Sequence, residues 1–171
     1  MVGDRLLIKT YLCEFLLIFC KWVIMDKCSK VGALYIATLK AIALIHQHNH
    51  WTTRGTAFYG DHLLFERLYN STLKDVDLAA EKFVGLFGDD CLNYDLQTEL
   101  LNKVLLKYNH LEGSPVEMSL AIEKDFLKFS KEAYDCFERE SKLSLGLDDM
   151  VMAIASQREE SVYLLQQVLK G

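Results

Sequence analysis

Proline is almost absent from this chain of 171 residues, since Pro115 is the only one. Proline breaks helices and marks loops, so its scarcity favours a mainly helical protein. The composition, 51% hydrophobic and 25% charged, argues against disorder. A chain of this length and composition is expected to form one domain with a substantial core.

The sequence also lacks the signatures of several other chemistries. It contains no Gly-rich phosphate loop, no nucleophile elbow and no internal repeat. No C-x-x-C pair occurs among its five cysteines, which are Cys13, Cys20, Cys28, Cys91 and Cys136. An odd, scattered set of this kind predicts reduced, mostly buried thiols in a cytoplasmic protein.

The sequence has fewer basic than acidic residues. The chain has 19 Lys and Arg against 24 Asp and Glu, and its formal net charge is −5. A protein that coats nucleic acid needs a basic face, so this balance disfavours such a role. An acidic balance is compatible with drawing cations inward.

Residues 1–24 are apolar, but they contain no uninterrupted transmembrane run of about 18 apolar residues, because Lys9, Glu14 and Lys21 divide them. No small-residue cleavage site follows them. Three interpretations of this extension stay open. It is an extra helix packed on the domain, a membrane-seeking anchor, or translated upstream sequence with Met25 as the natural start.

Two histidines and three carboxylates near the middle of the chain form a candidate metal-binding set. His62 and Glu66 are four residues apart, and so are Asp77 and Glu81. At about 3.6 residues per turn, these four side chains lie on one stripe of a single helix. His50, at the end of the preceding predicted helix, is a further candidate ligand. Neutral imidazoles with carboxylates are a ligand set for iron-like divalent metals.

In a single chain, the two halves of this stripe are too far apart to bind the same metal ion. Glu66 and Asp77 are eleven positions apart, which is about 16 Å along a helix axis. One solution is a second copy of the helix, antiparallel and related by a two-fold axis. His62 and Glu66 of one chain would then face Asp77 and Glu81 of the other, with two identical sites in each dimer.

The same residues resemble a known family signature. The run His50-Trp51-x-x-Arg54-Gly55-x-x-Phe58-x-x-x-His62-x-x-x-Glu66, continued by Asp77-x-x-Ala80-Glu81, is similar to that of the Dps mini-ferritins. The resemblance is specific over residues 33–88 and weaker afterwards. It departs at Glu66, where the family usually has Asp, and at Thr52, where the family usually has Asn. Glu66 keeps the charge but has the longer side chain, which would alter affinity at the weaker metal position.

The resemblance implies an all-α, ferritin-like four-helix bundle over residues 25–171, with a short helix in the long crossover between helices two and three. It also implies a ferroxidase centre that holds two iron ions between two-fold-related subunits. One subunit supplies His50, His62 and Glu66, and its partner supplies Asp77 and Glu81. The implied activity is oxidation of Fe(II) by peroxide or oxygen, with mineralisation inside a hollow shell expected to have twelve subunits.

Two rival functions from other classes are also open. The first is a DNA-binding protein that protects the nucleoid and has only secondary iron chemistry. The basic, disordered tail with which some Dps proteins hold DNA is not seen in this sequence. The second is a non-catalytic helical protein held at a membrane by residues 6–24.

Hydrophobic periodicity predicts four long helices, at residues 29–52, 57–86, 114–143 and 147–170, with a break at Gly146 and a crossover at 89–113. His46 and His48 are predicted to form hydrogen bonds at a subunit contact rather than to bind metal. A group of acidic residues surrounds the last turn between helices, where the resemblance to Dps implies a pore at a three-fold axis, while for Asp148 and Asp149 the favoured alternative is a role as helix caps. Its members are Glu138, Glu140, Asp148 and Asp149.

Overall fold

The computed structural model describes residues 25–109 and 111–170. Within those residues the secondary structure is entirely helical, which confirms the predicted fold class. The interpretations of residues 1–24, like Cys13 and Cys20, fall outside the described part of the chain. The elements are α1 Lys27–Thr52, α2 Phe58–Phe87, a 3₁₀ turn Asp89–Leu92, α3 Tyr94–Tyr108, α4 Pro115–Arg139 and α5 Leu145–Val168.

Helix α1 is the central element of the bundle, packed against α2, α3 and α4, while α4 packs against α5. Tyr35 of α1 is fully buried and makes edge contacts with Phe83 of α2, at a centroid distance of 5.5 Å, and with Phe126 of α4, at 4.9 Å. Among the described residues, α1 is also the one helix long and apolar enough to span a membrane, but 72% of its apolar window is buried in the bundle. The apolar side chains of α1 are therefore explained by its position in the core of the bundle.

The predicted start of the third long helix is confirmed. Ser114 accepts a hydrogen bond from the Glu117 backbone N–H, and the Glu117 carboxylate accepts one from the Ser114 N–H. This reciprocal capping box satisfies two helix-terminal donors, and Pro115 occupies the first helical position without losing a hydrogen bond. Gly88 ends α2 with a φ of +85°, two residues after the predicted end of the helix at residue 86.

The predicted break at Gly146 is wrong, because Gly146 lies in the first turn of α5. Helix α4 ends at Arg139, where the chain turns through Ser141 with a φ of +55°. The N–H of Lys142 then donates to the Phe137 carbonyl at 2.8 Å. The Ser144 side chain accepts from the Leu147 N–H at 3.2 Å, and this cap lets α5 begin ahead of the glycine.

The crossover carries the short helix α3, as predicted, and polar contacts attach it to the bundle. The buried Gln97 side chain donates to the carbonyls of Ala33, at 3.0 Å, and Cys91, at 2.7 Å. At the far end of α3, the Tyr108 hydroxyl donates to Asp125 of α4 at 2.9 Å. These bonds hold the crossover against α1 and α4.

The described cysteines Cys28, Cys91 and Cys136 are buried free thiols, which confirms the expectation for these three. Burial raises the pKa of Cys28 to about 11. A thiol of that kind stays protonated near neutral pH and is a poor metal ligand.

Gly32 allows α1 and α2 to approach closely, because a Cβ there would meet Phe83 Cγ at 3.1 Å. Phe83 is fully buried against Tyr35 and Phe137 and has little room to move. We therefore expect Gly32→Ala to lower the free energy of unfolding by about 1–3 kcal/mol through overpacking, measured by urea unfolding.

Gly85→Ala is the matched control, since Gly85 is also helical but a Cβ there meets nothing within 4 Å. It should raise stability by about 0.5–1 kcal/mol through helix propensity alone. Equal stabilisation by both substitutions would show that the contact between Gly32 and Phe83 is not tight.

Candidate metal centre and the polar core

The turn between α1 and α2 brings His50 and His62 together. Thr53 stops α1 in an extended conformation, and its N–H still bonds to the Asn49 carbonyl at 2.9 Å. Gly55 then reverses the chain with a φ of +96°, a conformation that glycine adopts without strain. The two imidazole rings consequently stack with their centroids 3.8 Å apart and their planes inclined by 23°.

Each imidazole is fixed by the backbone of the other histidine. His50 Nδ1 lies 2.9 Å from the His62 carbonyl oxygen, and His62 Nδ1 lies 3.0 Å from the His50 carbonyl oxygen. A carbonyl oxygen can only accept, so each Nδ1 carries the hydrogen and donates it. In the neutral form each Nε2 therefore keeps a lone pair for a metal ion, and the ring is already oriented by its second nitrogen.

Aromatic side chains surround this histidine pair. Phe58 lies against His62 with a centroid distance of 5.2 Å, and Tyr69 meets the edge of His50 at 5.4 Å. Both histidines are half-buried. Trp51, next in the chain, is 62% exposed and points away from the packed core.

The three predicted carboxylates continue along α2 from the histidine pair. Glu66 is half-buried one turn beyond His62, whereas Asp77 and Glu81 are exposed further along the helix. Within residues 25–109 and 111–170, none of the three accepts a hydrogen bond or pairs with a cation. Water can hydrate such carboxylates on an ordinary charged face, so the lack of partners shows only that the three are accessible to a ligand.

The five predicted site residues do not form one cluster inside a single chain. The structure brings His50 and His62 together and leaves Asp77 and Glu81 more than two helical turns beyond Glu66. Across the described residues, no three His, Cys, Asp or Glu side chains are grouped so as to hold a metal ion. The metal site built from two copies of the chain therefore stays a prediction.

His46 was expected at a subunit contact, and this expectation is wrong. Its side chain is fully buried inside the bundle, where Nε2 lies 2.9 Å from Glu123 Oε1 and Nδ1 lies 3.1 Å from Ser119 Oγ. Asn49 donates to the same hydroxyl at 2.9 Å. A neutral imidazole satisfies all of these groups, because Nε2–H donates to the carboxylate and Nδ1 accepts from the Ser119 O–H.

Arg158 is the centre of this buried polar core. Its guanidinium is fully buried on α5, with Nη1 3.2 Å from Glu123 Oε1 of α4 and Nη2 3.1 Å from Asp75 Oδ2 of α2. Thr72 and Ser71 of α2 also accept from it. Burial raises the pKa of Asp75 to about 6, although the guanidinium acts in the opposite direction. With His46 on α1, all four long helices contribute to the network.

The sequence reasoning missed this polar core, although a signal was present. Ile154, Arg158, Ser161 and Leu165 recur at the three- and four-residue spacing of a buried helical face. A charged residue at an apolar position predicts a buried charge that must find a partner.

Part of the acidic group at the last turn has a structural role. Glu140 caps the end of α4 and pairs with Lys27 at 2.9 Å, while Asp148 lies in the first turn of α5, where a carboxylate suits the helix dipole. The helix-cap interpretation concerned Asp148 and Asp149, and the side-chain cap of α5 comes from Ser144 instead, so only the position of Asp148 in the first turn agrees with it. A pore at a three-fold axis stays a prediction.

Comparison with known proteins identifies the fold. No protein-family model matches the sequence, and no curated protein matches it either. The crystal structure of a C-terminal deletion mutant of Mycobacterium smegmatis Dps is similar, with a TM-score of 0.68 over 83% of this chain and 96% of that one. The chain has a ferritin-like fold. Since the two sequences are 14% identical, the likeness establishes architecture and leaves function to the residues themselves.

Glu123 and Glu160 test the importance of the polar core, because each pairs with an arginine but only Glu123 is buried. We expect Glu123→Ala to cost about 3–5 kcal/mol of unfolding free energy, since it leaves buried charge uncompensated. Glu160→Ala should cost less than about 1 kcal/mol, because the Glu160 side chain is 54% exposed. Chemical unfolding measures both, and similar small losses would contradict a structural role for Glu123.

Proposed function

We propose that this protein oxidises and stores iron, with Fe(II) as substrate, at centres formed between two-fold-related copies of the chain. The observation that carries this proposal is the histidine pair, in which the mutual bonds of His50 and His62 leave both Nε2 atoms for a metal. Unpaired carboxylates on the same helix face supply the hard oxygen ligands. The ferritin-like architecture supports the proposal at the level of fold.

The roles divide between the two copies. His50, His62 and Glu66 bind metal from one chain, and Asp77 and Glu81 bind it from the partner. Glu66 and Asp77 lie about 16 Å apart along α2, which is too far for one metal ion to bind both. In an antiparallel copy of the helix the order is reversed, so Asp77 and Glu81 of that copy would lie opposite His62 and Glu66. A two-fold axis makes the arrangement reciprocal, so each dimer has two equivalent centres.

The surface of α2 between Glu66 and Asp77 is suited to contact with a second copy of the chain. Tyr69 and Leu73 lie on the same stripe of α2, between Glu66 and Asp77, and Leu73 is 49% exposed. They line a shallow groove with Leu44 of α1. An exposed apolar patch between metal ligands is what a second copy of α2 would cover.

Two metal ions in each centre suit the redox chemistry. Each Fe(II) gives up one electron, and reduction of one peroxide to two waters takes two electrons and two protons. Imidazole and carboxylate ligands leave coordination positions open for the oxidant, whether peroxide or oxygen. The ferric product would mineralise inside the shell. Removal of iron and peroxide together would protect a cytoplasm from the radicals that they generate.

A subunit-mixing experiment tests whether the centre is shared. We expect His62→Ala with Glu66→Ala to abolish rapid Fe(II) oxidation, and Asp77→Ala with Glu81→Ala to do the same. When both variants are expressed together, half of the dimers are mixed and each has one intact centre out of two. About a quarter of the wild-type rate should therefore return. The assay follows the absorbance of the ferric product after addition of Fe(II) and peroxide.

His48→Ala is the control, since His48 is exposed at the end of α1 and lies outside the pair. It should oxidise iron at the wild-type rate. Mixed chains that stay as inactive as the separate variants would rule out a centre shared between copies. Full activity in the first double variant would remove the histidine pair from the site.

The closed shell has its own test. Twelve copies of a 19.7 kDa chain form a particle of about 236 kDa, which follows from the twelve-subunit proposal. Size-exclusion chromatography with light scattering should find this mass for the chain that starts at Met1, and twelve times its own smaller mass for the chain that starts at Met25. A monomer or free dimer for both would exclude a storage shell.

A further inference from the structure

Among the residues that the structure describes, Lys40 of α1 is the one charged side chain that lines the shallow groove beside Tyr69 and Leu73. Gln47 of α1 lines the same groove. Lys40 forms no ion pair with any residue in the described ranges. Its ammonium group donates to the Gln97 side chain of α3 at 3.0 Å. Because an ammonium group has three hydrogens, the others remain for further acceptors.

The position of Lys40 makes its positive charge costly. The side chain is half-buried, and burial lowers the pKa of Lys40, although the nearby Cys91 thiol acts in the opposite direction. A charge that is partly removed from water and has no opposite charge beside it is poorly compensated. A negatively charged ligand in the groove would therefore stabilise the ammonium form.

The shared metal centres of the proposed function define where a two-fold axis would cross α2. His62 would face Glu81 of the second copy, and the middle of that stretch falls between positions 71 and 72. Glu66 would face Asp77, and the middle of that stretch is the same. An axis that relates the two copies would therefore pass α2 at this level, beside Thr72.

Lys40 lies at the level of this axis. Helices α1 and α2 are joined by a short turn and run antiparallel, and His50 stacks on His62 where they meet. Lys40 is ten positions before His50, and Thr72 is ten positions after His62. Both are therefore about 15 Å from the histidine pair, measured along the helix axes. In the dimer, the Lys40 side chains of the two copies would face each other across the axis.

We propose that an oxyanion site lies on the two-fold axis, where the Lys40 ammonium groups of both copies bind one inorganic phosphate ion. The site rests on the proposed function, which supplies the axis. Two ammonium groups that meet in a half-buried groove repel each other unless an anion lies between them. Lysine binds phosphate as a point charge, and the Gln47 amide and the Tyr69 hydroxyl add donors from the same groove. The groove has a volume of about 250 Å³ in each copy, which leaves room for a tetrahedral oxyanion.

The carboxylates of the metal centres do not take the place of this anion. Glu66 and Asp77 are each about 8 Å from the axis along α2, so they lie farther from the Lys40 pair than an ion on the axis does. The proposed function assigns both carboxylates to metal. The phosphate would thus hold the two copies together between their metal centres, and it would take no part in iron oxidation itself.

Phosphate binding to iron-free, full-length protein tests the site. Equilibrium dialysis with radiolabelled phosphate counts the bound ions in a chloride buffer of constant ionic strength. Wild type should bind one phosphate per two chains, and the ion should raise its unfolding temperature. Lys40→Met, which has a similar length and no charge, should bind phosphate at least about tenfold more weakly, because it loses both charge-assisted contacts. Its unfolding temperature should not respond to phosphate.

Lys124→Met is the matched control, since Lys124 is exposed on α4 and does not line the groove. It should bind phosphate as wild type does. Equal binding by Lys40→Met and wild type, or one ion per chain in wild type, would overturn the site.

Fe(II) oxidation, measured on the same preparations, separates this site from the iron centres. Wild type that oxidises Fe(II) and binds no phosphate would overturn the oxyanion site alone. Protein that binds one phosphate per two chains through Lys40, yet does not oxidise Fe(II), would support the site and contradict only the iron centres.

Discussion

The buried guanidinium of Arg158 is the constraint on which the rest of the bundle depends. A charge removed from water is tolerated only where opposite charges and hydrogen-bond acceptors meet it. Here those groups come from α2 and α4, and Glu123 extends the network to His46 on α1. These contacts join α5 to α2 and α4 directly, and to α1 through Glu123, so they favour the register in which the buried charges meet.

That register has a consequence at the end of α1. His46 is held inside the bundle, and His50, one turn later, therefore emerges where α1 meets α2. The turn through Thr53 and Gly55 then places His62 against it. Because each ring donates to the other residue's carbonyl, the histidine pair is oriented by backbone that belongs to two rigid helices. Pre-orientation of this kind lowers the entropy lost when a metal binds.

Helix α2 presents different chemistry on its different sides. Asp75 faces inward and is compensated by Arg158, whereas Asp77, two residues later, is exposed and has no partner among the described residues. Two carboxylates this close in sequence thus have opposite roles, since successive positions on a helix differ by about 100° in direction. The inner one pairs with Arg158 inside the bundle, and the outer one is exposed to solvent.

Much of the architecture was predictable because it depends on local chemistry. The predicted helix start at residue 114 depends on the Ser114-Pro115-Val116-Glu117 cap, which acts over a few residues, and it was confirmed together with the short helix in the crossover. The boundary at Gly146 was misplaced because glycine was interpreted as a helix break, whereas the Ser144 cap lets α5 begin ahead of it. Periodicity also predicted which carboxylates share a stripe with His62, since helical spacing alone decides that.

The sequence by itself determined the helices, the ligand types and the order in which they occur along α2. Only the tertiary structure decided that His46 is tied to Glu123, that Arg158 fills the core, and that His50 and His62 hold each other through their backbones. The physical reason is separation along the chain. His46 and Glu123 are 77 residues apart, and Arg158 and Glu123 are 35 apart. Such contacts depend on how whole helices pack, which no local pattern encodes.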